Sequence, residues 1–199
     1  MPIDAATLDR DPIRQLAAWL AEATDAGVPL PNAFALATAD GDGMPSVRFV
    51  LLHGLDVDGL RFYTNRTSRK GRDLAINPWA AAAFWWAALN RQARVTGPIR
   101  QLSEDESLAY WRTRPRGAQL SAAASGQSQE IGSRAELEAL VRAVEDRHPD
   151  DVPLPPTWGG YLIDPRTIEL WESRPDRLHD RIEYRRGADG SWHPRRLQP

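Results

Sequence analysis

The sequence predicts an α+β fold, an antiparallel β-barrel with helices packed outside it. Three observations predict this. Short strand-like segments run one after another between Ala33 and Ile99, separated by tight glycine turns. Such spacing favours antiparallel pairing. Two capping-box starts, Ser103 to Glu106 and Ser133 to Glu136, then announce helices. The tail from Trp158 offers three or four more strands.

The elements follow in order. Asp11-Pro12 is a helix start, an acid at the N-cap and proline at the first helical position. Ile13, Leu16, Ala17 and Leu20 recur at helical spacing until Gly27. Ala33 to Thr38, Ser46 to Leu52 and Leu60 to Thr64 read as strands. Gly41-Asp42-Gly43 and Asp56-Val57-Asp58-Gly59 read as the turns between them. Ser68 to Ile76 is a short helix stopped by Asn77-Pro78. Trp79 to Ala88 mixes alanine with aromatics; it follows a proline and leads into the alternating Gln92 to Ile99, so a strand is expected. Two helices should follow the two caps. His148 to Thr157, with four prolines, is expected to be a linker and not a core element. Gly187 to Gly190 is a turn in the tail. One domain is expected over 1–199, with 1–10 a flexible arm.

Composition narrows the function. Net charge is −2 over 199 residues, so no global field draws nucleic acid or an anionic membrane. There is no cysteine, which excludes disulfides, thiolate metal sites and a cysteine nucleophile. The longest apolar run, Trp79 to Leu89, falls short of the about 20 residues a membrane helix needs. The polar start, Met1 to Asp11, does not look like a signal peptide, and a cytoplasmic protein is expected. Four scattered histidines do not suggest a metal site. Glycine-rich phosphate loops, a nucleophile elbow and the zinc-protease motif are missing.

Clustered cations carry the chemical signal. Arg66 to Arg72, RTSRKGR, sits at a helix start, where free N–H groups favour phosphate. It also reads as a solvated basic turn. Arg48 stands in the apolar strand of PSVRFVLLHG, and burying it unpaired would be costly. It either meets an anion or lies on an open face. Tyr110 to Arg116, YWRTRPR, is an anion site or a set of cations complementing a helix end. In Trp171 to Arg181, WESRPDRLHDR, Arg177, His179 and Arg181 alternate and would share one face of a strand. They would repel one another unless an anion or a carboxylate lay there. His179 could act as a base near neutral pH.

Taken together and in order, these stretches resemble the pyridoxine/pyridoxamine 5'-phosphate oxidase family. The resemblance runs through Arg48-Phe-Val-Leu-Leu, Phe62-Tyr-Thr-Asn, Ser68-Arg-Lys, Arg91-Gln92, Tyr110 and Arg114-Pro-Arg. It continues through Gln127-Ser128, Trp158-Gly-Gly, Ile168-Glu-Leu-Trp, Arg177-Leu-His-Asp-Arg and the terminal Arg196-Leu-Gln-Pro. It covers nearly the whole chain from about Asp11.

The resemblance implies a split β-barrel homodimer with FMN at the subunit interface. It implies that Arg48 and Lys70, with Arg69 beside them, meet the FMN phosphate, within the cofactor-binding run of Arg48, Phe49, Val50 and Leu51. Tyr63, Thr64 and Gln92 would contact the ribityl chain or ring, and Gln127, Ser128, Trp171 and Arg181 would complete the site, partly from the second subunit. His53, Tyr110 and Arg114 would face the substrate phosphate; Arg177 and His179 would position substrate and handle protons. Three departures stand out. His53 replaces a family lysine, Ala118 replaces a serine, and the family's longer N-terminal arm is largely absent. The implied reaction oxidises pyridoxamine or pyridoxine 5'-phosphate to pyridoxal 5'-phosphate, with O2 giving H2O2. The alternatives are an FMN-dependent oxidase of another reduced heterocycle, of the phenazine-precursor kind, and a binding protein that holds FMN or pyridoxal phosphate without turnover.

Overall fold

A computed structural model describes residues 3–199. Helix α1 (Pro12–Asp25) starts where Asp11 accepts a hydrogen bond from the Ile13 N–H, and it lays Leu16, Trp19 and Ala23 into the core. Strands β1 (Ala33–Ala39) and β2 (Pro45–Leu51) form a hairpin, followed by β3 (Gly54–Asp56) and β4 (Gly59–Asn65). Helix α2 (Arg69–Ile76) precedes β5 (Trp79–Trp86) and the long β6 (Arg91–Gln101). Helices α3 (Glu104–Thr113), α4 (Arg116–Ala124) and α5 (Arg134–Arg147) come next. Strands β7 (Trp158–Ile163), β8 (Thr167–Glu172), β9 (Asp180–Arg186) and β10 (Trp192–Arg196) end the chain.

All strand pairs are antiparallel. The order is β10-β9-β8-β6-β5-β1-β2, and β7 joins β6 to β4. One edge of β6 serves two partners, β8 along Arg91–Thr96 and β7 along Ile99–Gln101. The sheet therefore forks there and curls into a split barrel. Gly97 stands at the fork because a Cβ would lie 1.9 Å from the Asp164 carbonyl oxygen.

Two apolar clusters result. The larger lies between α1 and the curled sheet, with Trp19 packed edge-on against Trp86 and Phe34 against Phe62 and Phe84. Truncating a fully buried member such as Leu16 to alanine would cost about 2–5 kcal/mol. The smaller cluster, Trp111, Leu120, Val144, Val152 and Trp158, seats the helices against β7.

Five expectations need correction. Three helices, not two, fill the stretch after Ser103: α4 starts behind Pro115, without a side-chain cap. The strand expected over Trp79 to Ala88 stops at Trp86 and gives way to a 3-10 turn, Ala87–Leu89. The proline-rich 148–157 segment has no helix or strand, yet Val152 is core, and its carbonyl accepts the Trp111 indole N–H at 2.8 Å. The arm expected to be loose is packed where it is described. Ile3 is buried, Arg196 donates to its carbonyl at 2.9 Å, and the Tyr184 hydroxyl donates to the Asp9 carbonyl. Met1 and Pro2, the rest of that arm, lie outside the described residues. The Ser133 cap is half a capping box: it accepts from the Glu136 N–H, while the Glu136 carboxylate takes the Gly132 N–H.

Candidate functional site

Strands β2 and β4, the start of α2, the end of α3 and the 125–128 loop enclose a groove of about 770 Å³. Its floor is the edge strand β2, which presents Arg48, Phe49, Val50 and Leu51. Arg48 points back between β1 and β2. It donates to the Leu36 carbonyl at 3.2 Å, to Thr38 Oγ1 at 2.7 Å and to Ser46 Oγ. Asp73 of α2 lies 3.7 Å away and also takes hydrogen bonds from Thr38 and Ser46. Burial alone would raise the Asp73 pKa; those two hydrogen bonds and Arg48 outweigh it and hold the carboxyl below its ordinary value. The anion expected beside Arg48 is thus this carboxylate.

Lys70 is different. It is only 6% exposed, and its Nζ donates to Gln127 Oε1 at 3.0 Å, Ser68 Oγ at 3.2 Å and Thr64 Oγ1 at 3.3 Å, all neutral oxygens. Burial, reinforced by Arg48, pushes its pKa down to about 8. Ser68 caps α2 by accepting the Gly71 N–H, so the positive end of the helix dipole stands beside the ammonium. Gly71 is required there, since a Cβ would lie 2.1 Å from the Arg66 carbonyl oxygen. The loop closes over this end: Ser128 Oγ accepts the Arg69 N–H at 3.2 Å, with Ser128 held at φ 74°. Three cations and one carboxylate leave this end of α2 with an excess of positive charge, the chemistry that suits an anion.

An aromatic stack lines the same groove. Tyr63 packs on Tyr110, with centroids 3.9 Å apart, and on Trp158, 5.5 Å away, and Tyr110 and Trp158 face each other at 6.2 Å. The Tyr110 hydroxyl sits 2.8 Å from His53 Nδ1 and 3.1 Å from Nε2. The Arg114 guanidinium lies 4.7 Å over Trp158, and its Nε is buried without a hydrogen-bond partner among the described residues. Desolvation and the Arg114 charge both lower the His53 pKa, so the ring is neutral near pH 7. Desolvation raises Tyr110 and Tyr63, which stay protonated.

Gln92, Trp171, His179 and Arg181 lie elsewhere, on a patch of β6, β8 and β9. Gln92 pairs with Trp171, and Trp171 with Arg181, across adjacent strands. Arg181 does not wait for a ligand. It grips Glu169 through Nε at 2.8 Å and a terminal nitrogen at 3.2 Å, and donates to the Gln198 carbonyl. Burial would raise the Glu169 pKa, but Arg181 and Arg94 overcome it and keep the carboxylate charged. Arg177 and His179 are not on a strand, so the shared strand face expected for them does not form. Arg177 ends a 3-10 turn, exposed and at φ 62°, and His179 lies in the loop before β9. The Arg174 N–H donates to His179 Nδ1 at 3.1 Å. An N–H only donates, so that nitrogen carries no proton and the neutral ring holds its proton on Nε2. Trp171 packs on the ring at 4.6 Å. His179 therefore presents Nε2, not Nδ1, away from the Arg174 backbone.

The family model described as pyridoxamine 5'-phosphate oxidase matches residues 20–148. That described as the pyridoxine 5'-phosphate oxidase C-terminal dimerisation region matches residues 158–199. The chain belongs to the pyridoxamine 5'-phosphate oxidase family. Pyridoxine/pyridoxamine 5'-phosphate oxidase 1 of Ralstonia nicotianae is 50% identical over 99% of this chain and 93% of its own. The pyridoxine/pyridoxamine 5'-phosphate oxidase of Thermosynechococcus vestitus is 51% identical over 95% of this chain and 89% of its own. Among solved structures, PhzG of Burkholderia lata in complex with tetrahydrophenazine-1-carboxylic acid superposes with a TM-score of 0.92. It is 35% identical and covers 98% of this chain and 95% of PhzG.

The groove thus gathers Arg48 to Leu51, His53, Tyr63, Thr64, Arg69, Lys70, Tyr110, Arg114, Gln127 and Ser128. It does not include Gln92, Trp171, Arg177, His179 or Arg181. Sequence reasoning about the family pattern missed Thr38, Ser46 and Asp73, which hold Arg48, and Glu169, which holds Arg181. The spacing of Asp73 from Arg69 on α2 points to the wrong arginine, since its ion pair forms with Arg48 of β2. Glu169 had no readable signal, because its partners come from other strands.

Proposed function

We propose that this family member is an FMN-dependent oxidase that converts pyridoxamine or pyridoxine 5'-phosphate to pyridoxal 5'-phosphate, reducing O2 to H2O2. Buried Lys70, held only by neutral oxygens at the start of α2, carries the reading: it suits a terminal phosphate monoester. Arg48, Arg69, Lys70 and Ser128 would hold that phosphate. Thr64, Gln127, Tyr63 and the free backbone edge of Phe49, Val50 and Leu51 would flank the rest of the cofactor. The bound flavin would supply the two-electron acceptor. His53, Tyr110 and Arg114 would hold the substrate's anionic group, and Arg177 and His179 would orient its ring, His179 through its Nε2 proton.

A second copy of the chain is part of the proposal. Val47 and Phe49 on edge strand β2 are 68% and 77% exposed, an apolar row that a partner would cover. Such a partner would bring Gln92, Trp171, His179 and Arg181 to the groove. Chromatography of the flavin released on denaturation, sedimentation, and a peroxide assay with pyridoxamine 5'-phosphate test the reading. FAD, a flavin-loaded monomer, or no peroxide would each overturn its part. A second reading, oxidation of a reduced heterocyclic carboxylate, rests on the likeness to PhzG and on Ala118, whose methyl brings no donor to the groove. Peroxide formed only with dihydro- or tetrahydro-aromatic carboxylates would favour it.

A further inference from the structure

The anion-facing part of the groove, beyond the flavin-phosphate cations, is short of donors. Arg114 spends one terminal nitrogen on the Ala118 carbonyl at 2.9 Å, and Ala118 itself has no hydroxyl. The Tyr110 hydroxyl and the His53 ring are spent on each other. Both ring nitrogens lie within 3.1 Å of that hydroxyl, and the neutral ring brings to it one N–H and one acceptor. A doubly protonated ring changes that count. It carries two N–H donors and no acceptor, so it can no longer take the Tyr110 proton. The Tyr110 hydroxyl is then released to turn its own proton outward. One proton from solvent thus adds a ring donor, frees the Tyr110 proton for the anion and adds a positive charge.

We propose that His53 takes up this proton as the substrate's phosphate enters between His53, Tyr110 and Arg114, so that recognition of the anion is coupled to protonation of the site. The inference rests on the substrate class proposed above. The groups facing His53 are consistent with it. Tyr63 of β4 lies 6.0 Å away and Tyr110 of α3 4.7 Å, both uncharged near neutrality. Arg114, at the end of α3, keeps the empty site's ring neutral. Arg61 of β4, whose carbonyl accepts the His53 N–H, is neutralised by Asp56 and Asp58; Glu106 of α3 is nearest to Arg61 and Arg100. A dianion reverses the balance and raises the ring's pKa.

The test is calorimetry of the flavin-loaded dimer with 4-deoxypyridoxine 5'-phosphate, which has neither amine nor alcohol to oxidise at C4'. Titrations at pH 7.5 in buffers of different ionisation enthalpy count the protons exchanged. Wild type is expected to take up close to one proton per site, about 0.5–1, and its affinity to weaken up to about tenfold per pH unit above neutrality. His53→Gln and His53→Lys should both lose the uptake, with His53→Lys keeping pH-independent affinity. Lys70 titrates in the same groove but is intact in both variants, so it cancels. Equal uptake in wild type and His53→Gln overturns this inference alone, as does no uptake in wild type. No binding by any of the three proteins overturns the inference together with the substrate class.

Discussion

The groove and the β6–β8–β9 patch are built from the same materials, arginines beside aromatic rings, but their charges are arranged oppositely. In the patch every key cation has a carboxylate: Arg181 and Arg94 share Glu169, Arg91 holds Glu172, and Arg174 and Arg196 hold Asp180. In the groove, among the described residues, only Arg48 does, through Asp73; Arg69, Lys70 and Arg114 have no such partner there. A self-neutralised network stabilises the fold and has little left for an anion. A cluster with unpaired cations costs stability and has that charge available for a ligand. Arginine density therefore does not mark a phosphate site; unpaired arginine and lysine do.

The sharpest way to break this comparison is to exchange the expected losses. Arg181→Met leaves buried Glu169 with Arg94 alone. It should lower stability by about 3 kcal/mol, the low end for a broken buried pair, and drop Tm by about 6–12 °C. Flavin affinity per folded dimer should change much less. Lys70→Met should do the reverse. Loss of charge-assisted bonds worth about 1.5–3 kcal/mol weakens FMN binding by roughly 10- to 100-fold in a fluorescence titration. The flavin-free protein should be no less stable than wild type. If Lys70→Met melts the apoprotein and spares binding, the contrast is wrong.

A pH series sharpens the same point. The Lys70 pKa is lowered in the fold, from 10.5 to about 8. Between those values the unfolded chain binds more protons than the folded one, so this residue makes apoprotein stability rise with pH. Below about 8 both states are charged and the folding penalty is fully present. Any stability advantage of Lys70→Met over wild type should therefore shrink from pH 8 to pH 10 in denaturant melts. A constant gap would mean that Lys70 is not desolvated. The smallest effect belongs to neither region. Ser103→Ala removes half of a complete capping box and should cost about 1 kcal/mol without altering flavin affinity.

Much of this was legible from local pattern. Asp11-Pro12, the Ser68 and Ser103 caps and the hairpin turns each announce themselves within four residues, because capping and turn chemistry are local. So did the α2 cations, which come from one continuous stretch. The short strand β3 was missed because three residues carry no period, and α4 because its start has proline but no side-chain cap. Arg177, His179 and Arg181 alternate in sequence, yet two left-handed residues, Asp176 and Arg177, turn the chain before β9 begins. Alternation implies a shared face only on a strand. Whether an arginine is paired was not legible at all, since Glu169 and Asp180 meet their partners through sheet register and chain crossings.

The loop from Ser125 to Ser128 reaches back across a long stretch of chain. Gln127 meets Thr64 and Lys70, Ser128 meets Arg69, and the Ser125 carbonyl meets Asn65. Joining such distant segments requires closing a loop of about sixty residues, an entropic toll that nearby contacts do not bear. Helix α2 forms from its own neighbours; the wall beside it forms only when the α3–α5 layer docks. In a refolding experiment helical signal should therefore return first, and the capacity to capture flavin should return later, at the pace of that docking.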